Sequence, residues 1–276
     1  MKAYIRTRGK LVDYTFLGDS PETHWWSEYN QLTSPERPGL LVESAETGWR
    51  ACISGIPSSR FDTTKTPLRY FLVFEGEPGD REQELQDVLK VLCAWIADLQ
   101  NSDSSRSSLG EALDNAYTDK IDRFLEGTVS IEEVSTHLFM AINYLPSLDT
   151  YKDLFSEESV DIDDSIPEWF GGIHDPKSIK TFWNRILYLC SKKTIPKKNR
   201  SVAVLTNFPL KEEELTNIDI TDRQIAILIP NSQTPLQELK KKTEKTVNQP
   251  KQHKKRTVGI VLSALLLLLL TILLLR

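Results

Sequence analysis

The C-terminal segment from Thr257 to Leu275 carries no charged residue, and ten of its nineteen residues are leucine. As an α-helix, a segment of this length spans about 28 Å, close to the roughly 30 Å hydrocarbon core of a bilayer. A buried helix of a globular domain normally keeps a polar stripe, which this segment lacks. The sequence therefore predicts one transmembrane helix at the C-terminal end, a tail anchor.

The charges beside this apolar segment predict its orientation. Eight cations and one acid lie between Leu239 and the segment, while Arg276 alone follows it. Because Lys and Arg are enriched on the cytoplasmic side of membrane helices, the preceding part of the chain is expected in the cytoplasm. Four cations lie next to the expected membrane surface and are predicted to contact anionic lipid headgroups: Lys251, Lys254, Lys255 and Arg256.

Charge is unevenly divided along the chain. Of the net charge of −5, residues 231–276 contribute +7, which leaves −12 for residues 1–230. An acidic domain is therefore followed by a basic segment. Phe, Tyr and Trp do not occur among the cations of residues 231–256, so base stacking is not expected and nucleic acid is not a predicted partner. The predicted partners are the lipid bilayer and a cytosolic protein.

The pattern of apolar residues predicts a mixed α+β domain over residues 1–230, either undivided or split into subdomains 1–78 and 79–230. A basic flexible linker at 231–256 then leads to the membrane segment at 257–275. The N-terminal part is predicted to form strands at 3–8, 11–17, 40–43, 49–53 and 68–74, the first two joined by a two-residue turn at Gly9 and Lys10.

The central part of the domain is predicted to be helical. Apolar residues recur there at spacings of three and four over 82–100, 109–124 and 130–145. A C-terminal helix–strand–strand unit follows, with a helix from Asp175 and apolar strands at 202–205 and 225–229.

The segment 171–178 (GGIHDPKS) matches a phosphate-binding loop only in part. Lys177 and Ser178 fit the pattern G-x-x-x-x-G-K-S, but Pro176 replaces its second glycine. Proline has no amide hydrogen and cannot adopt positive φ, so a nucleotide is not expected. The alternative interpretation is a Gly-Gly loop that leads into a helix capped by Asp175.

No metal site and no cofactor are predicted. In the acidic run 157–168, counted from Asp161, Ile166 and Gly172 occupy the positions at which an EF-hand needs Gly and Glu. A solvated loop is the main interpretation of this run, and a weak cation or basic-partner site stays open. None of the histidines has a second His or Cys at metal spacing: His24, His137, His174 and His253.

Three cysteines lie far apart in apolar stretches, without a C-x-x-C pair. This pattern predicts buried free thiols in a reducing compartment, with neither a disulfide framework nor a zinc site. The cysteines are Cys52, Cys93 and Cys190.

Three segments carry the candidate contact residues. The charge-dense segment between two predicted strands contains Arg60, Asp62 and Arg69, and it is either an anion or partner site or a salt-bridged connector. Trp25 and Trp26 lie in a Pro-rich loop, as a plug of the core or as a protein-contact patch. The third candidate segment contains His174 and Lys177.

Two functional hypotheses follow. The first is a tail-anchored, single-pass membrane protein whose cytosolic domain binds or senses a protein partner, without catalytic residues. The second is a membrane-tethered, hydrolase-like enzyme with a site built from the Arg60–Arg69 and His174–Lys177 loops, although the G-x-S-x-G elbow of such enzymes is missing. Convergence of the two loops on one pocket would favour the enzyme.

Overall fold

The structure is a computed structural model of the chain. It divides into two compact units, Met1–Lys240 and Lys241–Arg276. The predicted membrane segment, its four flanking cations and most of the acidic run lie outside the described residues. Within the described ranges, none of the helices combines the length and the apolar composition that a bilayer crossing requires. The described residues are 1–9, 12–45, 48–77, 82–101, 107–117, 121–125, 131–152, 168–191, 200–208, 215 and 223–239.

One mixed sheet of nine strands runs through the described part of the first unit, in the order β2-β1-β5-β4-β3-β7-β8-β6-β9. Strands β1 to β5 pair antiparallel, as do β3 with β7 and β6 with β9. Strands β7, β8 and β6 are parallel. The strand bounds are β1 Lys2–Thr7, β2 Thr15–Phe16, β3 Gly39–Ala45, β4 Gly48–Phe61, β5 Pro67–Gly76, β6 Trp169–Gly172, β7 Arg200–Leu205, β8 Arg223–Ile229 and β9 Gln237–Glu238.

Five α-helices accompany this sheet in the described residues, which confirms the predicted mixed α+β class. Their bounds are α1 Glu82–Gln100, α2 Ser108–Tyr117, α3 Ile121–Leu125, α4 Ile131–Tyr144 and α5 Pro176–Ser191. The first of these coincides with the predicted helix 82–100. The second predicted helix, 109–124, is divided between α2 and α3.

Both faces of the sheet are buried. The helices cover one face, where Leu72 and Phe74 of β5 belong to the same core cluster as Trp95 of α1. On the other face, Phe71 and Val73 belong to a second cluster with residues of the segment 18–38. Neighbouring strand residues point to opposite faces of a sheet. Because both faces are buried here, successive residues in the middle of β5 are all apolar.

Two strand predictions near the N-terminus are wrong in detail. Strands β1 and β2 pair only at Arg6–Phe16 and Thr7–Thr15, so residues 8–14 connect them instead of a two-residue turn. Strand β4 continues well beyond the predicted end at residue 53. It passes through register shifts between Ile53 and Ile56 and beyond Pro57, and such bulges break the alternation on which strand prediction depends.

The edge of the sheet at β6 and β9 is the second departure from the sequence prediction. Strand β6 includes Gly171 and Gly172, which we predicted as a loop. Strand β9 lies in the predicted linker and pairs with β6, and Leu239 behind it is buried. The folded domain therefore extends through Leu239, past the boundary predicted at residue 230.

Candidate functional site

The predicted contact residues Arg60, Asp62 and Arg69 lie at the closed end of the β4–β5 hairpin. One oxygen of Asp62 accepts hydrogen bonds from the Thr64 amide and hydroxyl at 2.8 and 2.7 Å and from the Thr66 amide at 2.8 Å. These bonds, the Thr64 hydroxyl first among them, hold the pKa of the Asp62 carboxyl below its ordinary value. The turn satisfies its own charged group, which favours the connector interpretation.

Both arginines of this hairpin bond to the protein itself. The Arg60 Nη2 donates to the Thr7 hydroxyl at 3.0 Å, and its Nε lies 3.8 Å from a carboxylate oxygen of Asp114. The Arg69 Nη1 donates to the Gly55 carbonyl at 2.9 Å. Their guanidinium groups therefore brace the hairpin, and this geometry gives no support to an anion site.

The second predicted loop connects β6 to α5. His174 and Lys177 have exposed side chains, and the His174 amide donates to the Ser232 carbonyl at 2.9 Å. The Asp175 carboxylate accepts from the Ser178 amide at 2.8 Å and from the Ser178 hydroxyl at 2.6 Å. Asp175 is thus the N-cap of α5, as predicted, and its carboxylate occupies the place where a phosphate would bind.

The two loops do not come together. Strand β4 carries the first loop and β6 the second, and β3, β7 and β8 lie between them in the sheet. At about 4.8 Å per strand, four steps separate the loops by roughly 19 Å. One small-molecule site cannot be built from both.

Trp25 and Trp26 belong to the core. Their exposed fractions are 3% and 5%, and the Trp26 ring lies 5.1 Å from that of Phe71, between centroids. The imidazole of His24 stacks on Trp26 from outside at 4.9 Å. The prediction of the two tryptophans as partner-contact residues is therefore wrong, because the loop turns them inward to cover the second face of the sheet.

A pocket that the sequence did not predict lies at the open end of the β4–β5 hairpin. Its volume is about 220 Å³. It is formed where β1 and β4 begin and β5 ends. This is the end of the β4–β5 hairpin opposite the Arg60–Arg69 turn. The described residues that line it are Met1, Lys2, Trp49, Arg50, Glu75, Gly76 and Glu77.

A row of alternating charges crosses the sheet at this pocket. Glu43 of β3 is opposite Arg50 of β4, Arg50 is opposite Glu75 of β5, and Glu75 is opposite Lys2 of β1. Directly opposed residues share a face, so the four side chains form one row of alternating sign. We call this row the charge ladder.

Glu43 and Arg50, the two members of the charge ladder nearest the middle of the sheet, are held rigidly. Glu43 is 1% exposed and accepts hydrogen bonds from Arg50, at 2.9 Å from its Nε, and from the Tyr29 hydroxyl. The Arg50 guanidinium also lies over the ring of Trp25, 4.7 Å from its centroid. Arg50 is therefore held in place by these contacts.

Glu75 and Lys2, the other two members of the charge ladder, are less well neutralised by their surroundings. Burial raises the pKa of the Glu75 carboxyl above its ordinary value, although the Arg50 and Lys2 cations oppose this effect. The nearby Glu22 carboxylate raises the pKa further. Among the described residues, no carboxylate lies within ion-pair distance of the Lys2 ammonium. The pocket thus offers charge of both signs.

The remaining chemistry in the described ranges is sparse. No group of three or more His, Cys, Asp or Glu side chains there is placed to hold a metal ion. Burial raises the pKa of the thiols well above the ordinary range, which makes all three cysteines unreactive. They are free and buried, as predicted: Cys52, Cys93 and Cys190.

Comparisons with protein-family models, with curated proteins and with solved structures found no match to this chain. Its function must therefore be argued from its own residues. The sequence signal that could have indicated the pocket is weak. It consists of single charges inside apolar strands, as in LLVES and WRACIS, whose pairing depends on strand register.

Proposed function

We propose that this chain is a tail-anchored, single-pass membrane protein whose folded domain is held at the cytosolic face of a membrane and binds a protein partner there. The observation that carries the proposal is the uncharged segment 257–275, long and apolar enough to cross a bilayer. The excess of cations before it supports a cytosolic domain. Tethering raises the local concentration of the domain, which strengthens a weak contact at the membrane.

The folded domain leaves fewer residues before the proposed anchor than the sequence predicted. The domain ends at the buried Leu239, whose amide donates to the Glu168 carbonyl at 2.7 Å. Residues 240–256 then remain as the linker. A flexible chain of seventeen residues spans about 20 to 25 Å on average, enough to hold the domain off the headgroups.

Helix α4 offers the surface for the partner. On its inner side Leu138, Ala141 and Ile142 are buried, and the helix packs mainly against α2. Its outer side presents three large apolar side chains with exposed fractions of 38%, 44% and 66%, a feature typical of protein-contact sites. We call this the α4 surface, and it consists of Phe139, Met140 and Tyr144.

The chemistry of the α4 surface defines the partner. Helix α4 has Glu132 and Glu133 in its first turn and contains no Lys or Arg, and residues 1–230 carry −12 overall. An apolar helix face with an acidic end fits an amphipathic helix that carries basic residues beside its apolar stripe. The proposed partner is a cytosolic protein with such a helix.

Two experiments test the proposal. Deletion of residues 257–276 should move the protein from the membrane to the soluble fraction with its domain folded. A photo-crosslinking residue at position 144 of the full chain should capture a basic amphipathic helix, identified by sequencing the crosslinked peptide, and Met140→Asp should abolish the capture.

The matched control for the second experiment is a crosslinker at position 61, because Phe61 is also apolar and 53% exposed but lies at the β4–β5 turn. Equal capture from positions 61 and 144 would contradict a specific α4 surface. Membrane retention after the deletion would contradict the anchor. The membrane-tethered enzyme is not proposed, because its two loops are too far apart.

A further inference from the structure

We propose that the pocket between Arg50 and Glu75 binds a small zwitterion, a free α-amino acid or a molecule with an equally close carboxylate and ammonium group. This inference goes beyond the proposed function and does not depend on the α4 surface. Arg50 and Lys2 supply the positive side of the site, and Glu75 supplies the negative side.

The ligand carboxylate is matched by Arg50 and Lys2. Arg50 uses its Nε and Nη2 on Glu43, and its Nη1 has no hydrogen-bond partner among the described residues. The Lys2 side chain is exposed, on the other side of Glu75 in the charge ladder. A carboxylate at the Arg50 Nη1 would gain a charge-assisted hydrogen bond that the described residues leave unmade, and the Lys2 charge would attract it.

The ligand ammonium is matched by Glu75. This carboxyl is half-buried and lies directly opposite both Lys2 and Arg50. The two cations do not fully offset the cost of its burial, and Glu22 adds negative charge nearby. An ammonium group in the pocket would stabilise the ionised carboxyl. A simple anion, in contrast, would be repelled by Glu75, which lines the pocket.

The volume of the pocket selects a small ligand. About 220 Å³ corresponds to roughly seven water molecules at about 30 Å³ each. This is room for one amino acid, and it is below the roughly 300 Å³ at which pockets for drug-sized ligands begin.

Trp49 also lines the pocket, but its side chain belongs to the core on the face of the sheet opposite the charge ladder. Trp49 is 4% exposed, and its indole lies directly on Gly76, where an added Cβ would be 2.2 Å from the ring. The indole can therefore approach the β5 backbone only because residue 76 has no side chain. A fixed Arg50 reduces the entropy cost of binding a small molecule.

The test uses the full chain in detergent and three related probes: L-alanine, L-alaninamide without the carboxylate, and N-acetyl-L-alanine without the ammonium group. Titration calorimetry should detect binding of L-alanine and at least tenfold weaker binding of the other two. Lys2→Gln and Glu75→Gln should each weaken L-alanine binding at least fivefold.

Two matched variants at exposed positions serve as controls. They are Lys65→Gln, in the turn between β4 and β5, and Glu111→Gln on α2. They should bind L-alanine like the wild type, and circular dichroism should show that all four variants are folded. The proposal is overturned if L-alanine does not bind at 10 mM, about ten times the Kd that corresponds to a binding free energy of only about 4 kcal/mol. It is also overturned if the acetylated probe binds equally well, which would indicate a simple anion site.

Discussion

The hydroxyl of Tyr70 on β5 donates a hydrogen bond of 2.9 Å to the carboxylate of Asp114 on α2. The same carboxylate accepts from the Ser58 hydroxyl and from the Ser59 amide, both at 2.6 Å, and forms an ion pair with Arg60. Asp114 is 6% exposed. One buried charge therefore connects α2 to both strands of the hairpin and satisfies the donors around it.

Replacement of Asp114 should be strongly destabilising. Asp114→Ala leaves three donors without their acceptor and Arg60 without its ion-pair partner, at an expected cost of about 3 to 5 kcal/mol in the free energy of unfolding. Tyr70→Phe removes one hydrogen bond and should cost about 1 kcal/mol. Urea unfolding of residues 1–240 measures both changes.

The control for Asp114 is its exposed neighbour on the same helix, Asn115, whose replacement by Ala should change stability by at most about 0.5 kcal/mol. If Asp114→Ala were as mild as Asn115→Ala, the network would not hold α2 on the hairpin.

Trp26 should matter for stability and not for partner binding. Trp26→Ala removes a buried ring from the second core cluster and should cost about 3 to 5 kcal/mol. Tyr144→Ala, at a side chain 66% exposed, should cost at most about 0.5 kcal/mol. Thermal unfolding of the two variants tests this contrast. A stable Trp26→Ala variant that had lost its partner would restore the contact-patch interpretation.

Gly55 should not tolerate a side chain. It has φ of +68°, and an added Cβ would lie 2.2 Å from the backbone carbon of Arg37. Gly55→Ala therefore combines left-handed strain with a backbone clash and should cost about 2 to 4 kcal/mol. At Gly9 the nearest atom to an added Cβ is the flexible end of Leu125, so Gly9→Ala should cost about 1 kcal/mol or less. Similar urea midpoints for the two variants would refute the strain argument.

The cap of α5 should contribute a pH-dependent part of the stability. Hydrogen bonds from Ser178, its hydroxyl first, hold the pKa of the Asp175 carboxyl below its ordinary value. The unfolded chain therefore binds this proton more readily than the folded one. The contribution is present above the unfolded pKa of about 3.9 and is lost as the pH falls through the lower folded value.

Two variants of Asp175 distinguish the stability that comes from its capping hydrogen bonds from the stability that comes from its negative charge. Asp175→Ala should cost about 1 kcal/mol at pH 7 because the helix loses its N-cap. Asp175→Asn keeps a capping oxygen, so it should remain close to the wild type at pH 7 and lose less stability below pH 4. Unfolding free energies measured from pH 2 to pH 7 test this difference. An identical acid loss in Asp175→Asn and wild type would exclude Asp175 as a contributor.

Elements with a one-sided apolar stripe were predictable because their signal lies within their own residues. The helix predicted over 82–100 has those bounds in α1, and Asp175 caps α5 where the sequence placed the cap. Strand β6 gave no such signal. Gly171 has no side chain to pack. The reason for a glycine in this strand is the close approach of α5, where Ser178 leaves no space for a Cβ on residue 171.

Trp25 and Trp26 illustrate an ambiguity that composition cannot remove. A plug of the core and an exposed contact patch both need large aromatic side chains in an ordered loop. The loop was identified from its prolines, but the direction in which the rings point depends on the sheet face beneath them, which is built from strands distant in sequence.

The sequence by itself determined the features that are local or additive: the apolar segment 257–275, the division of charge, the amphipathic helices and their caps. Only the tertiary structure decided which charges meet. Lys2 and Arg50 are distant from Glu75 in the chain and become its neighbours only through the pairing of β1, β5 and β4. Strand register cannot be read from one strand, because a shift of one residue moves every side chain to the other face. The pocket between Arg50 and Glu75 is a property of that register.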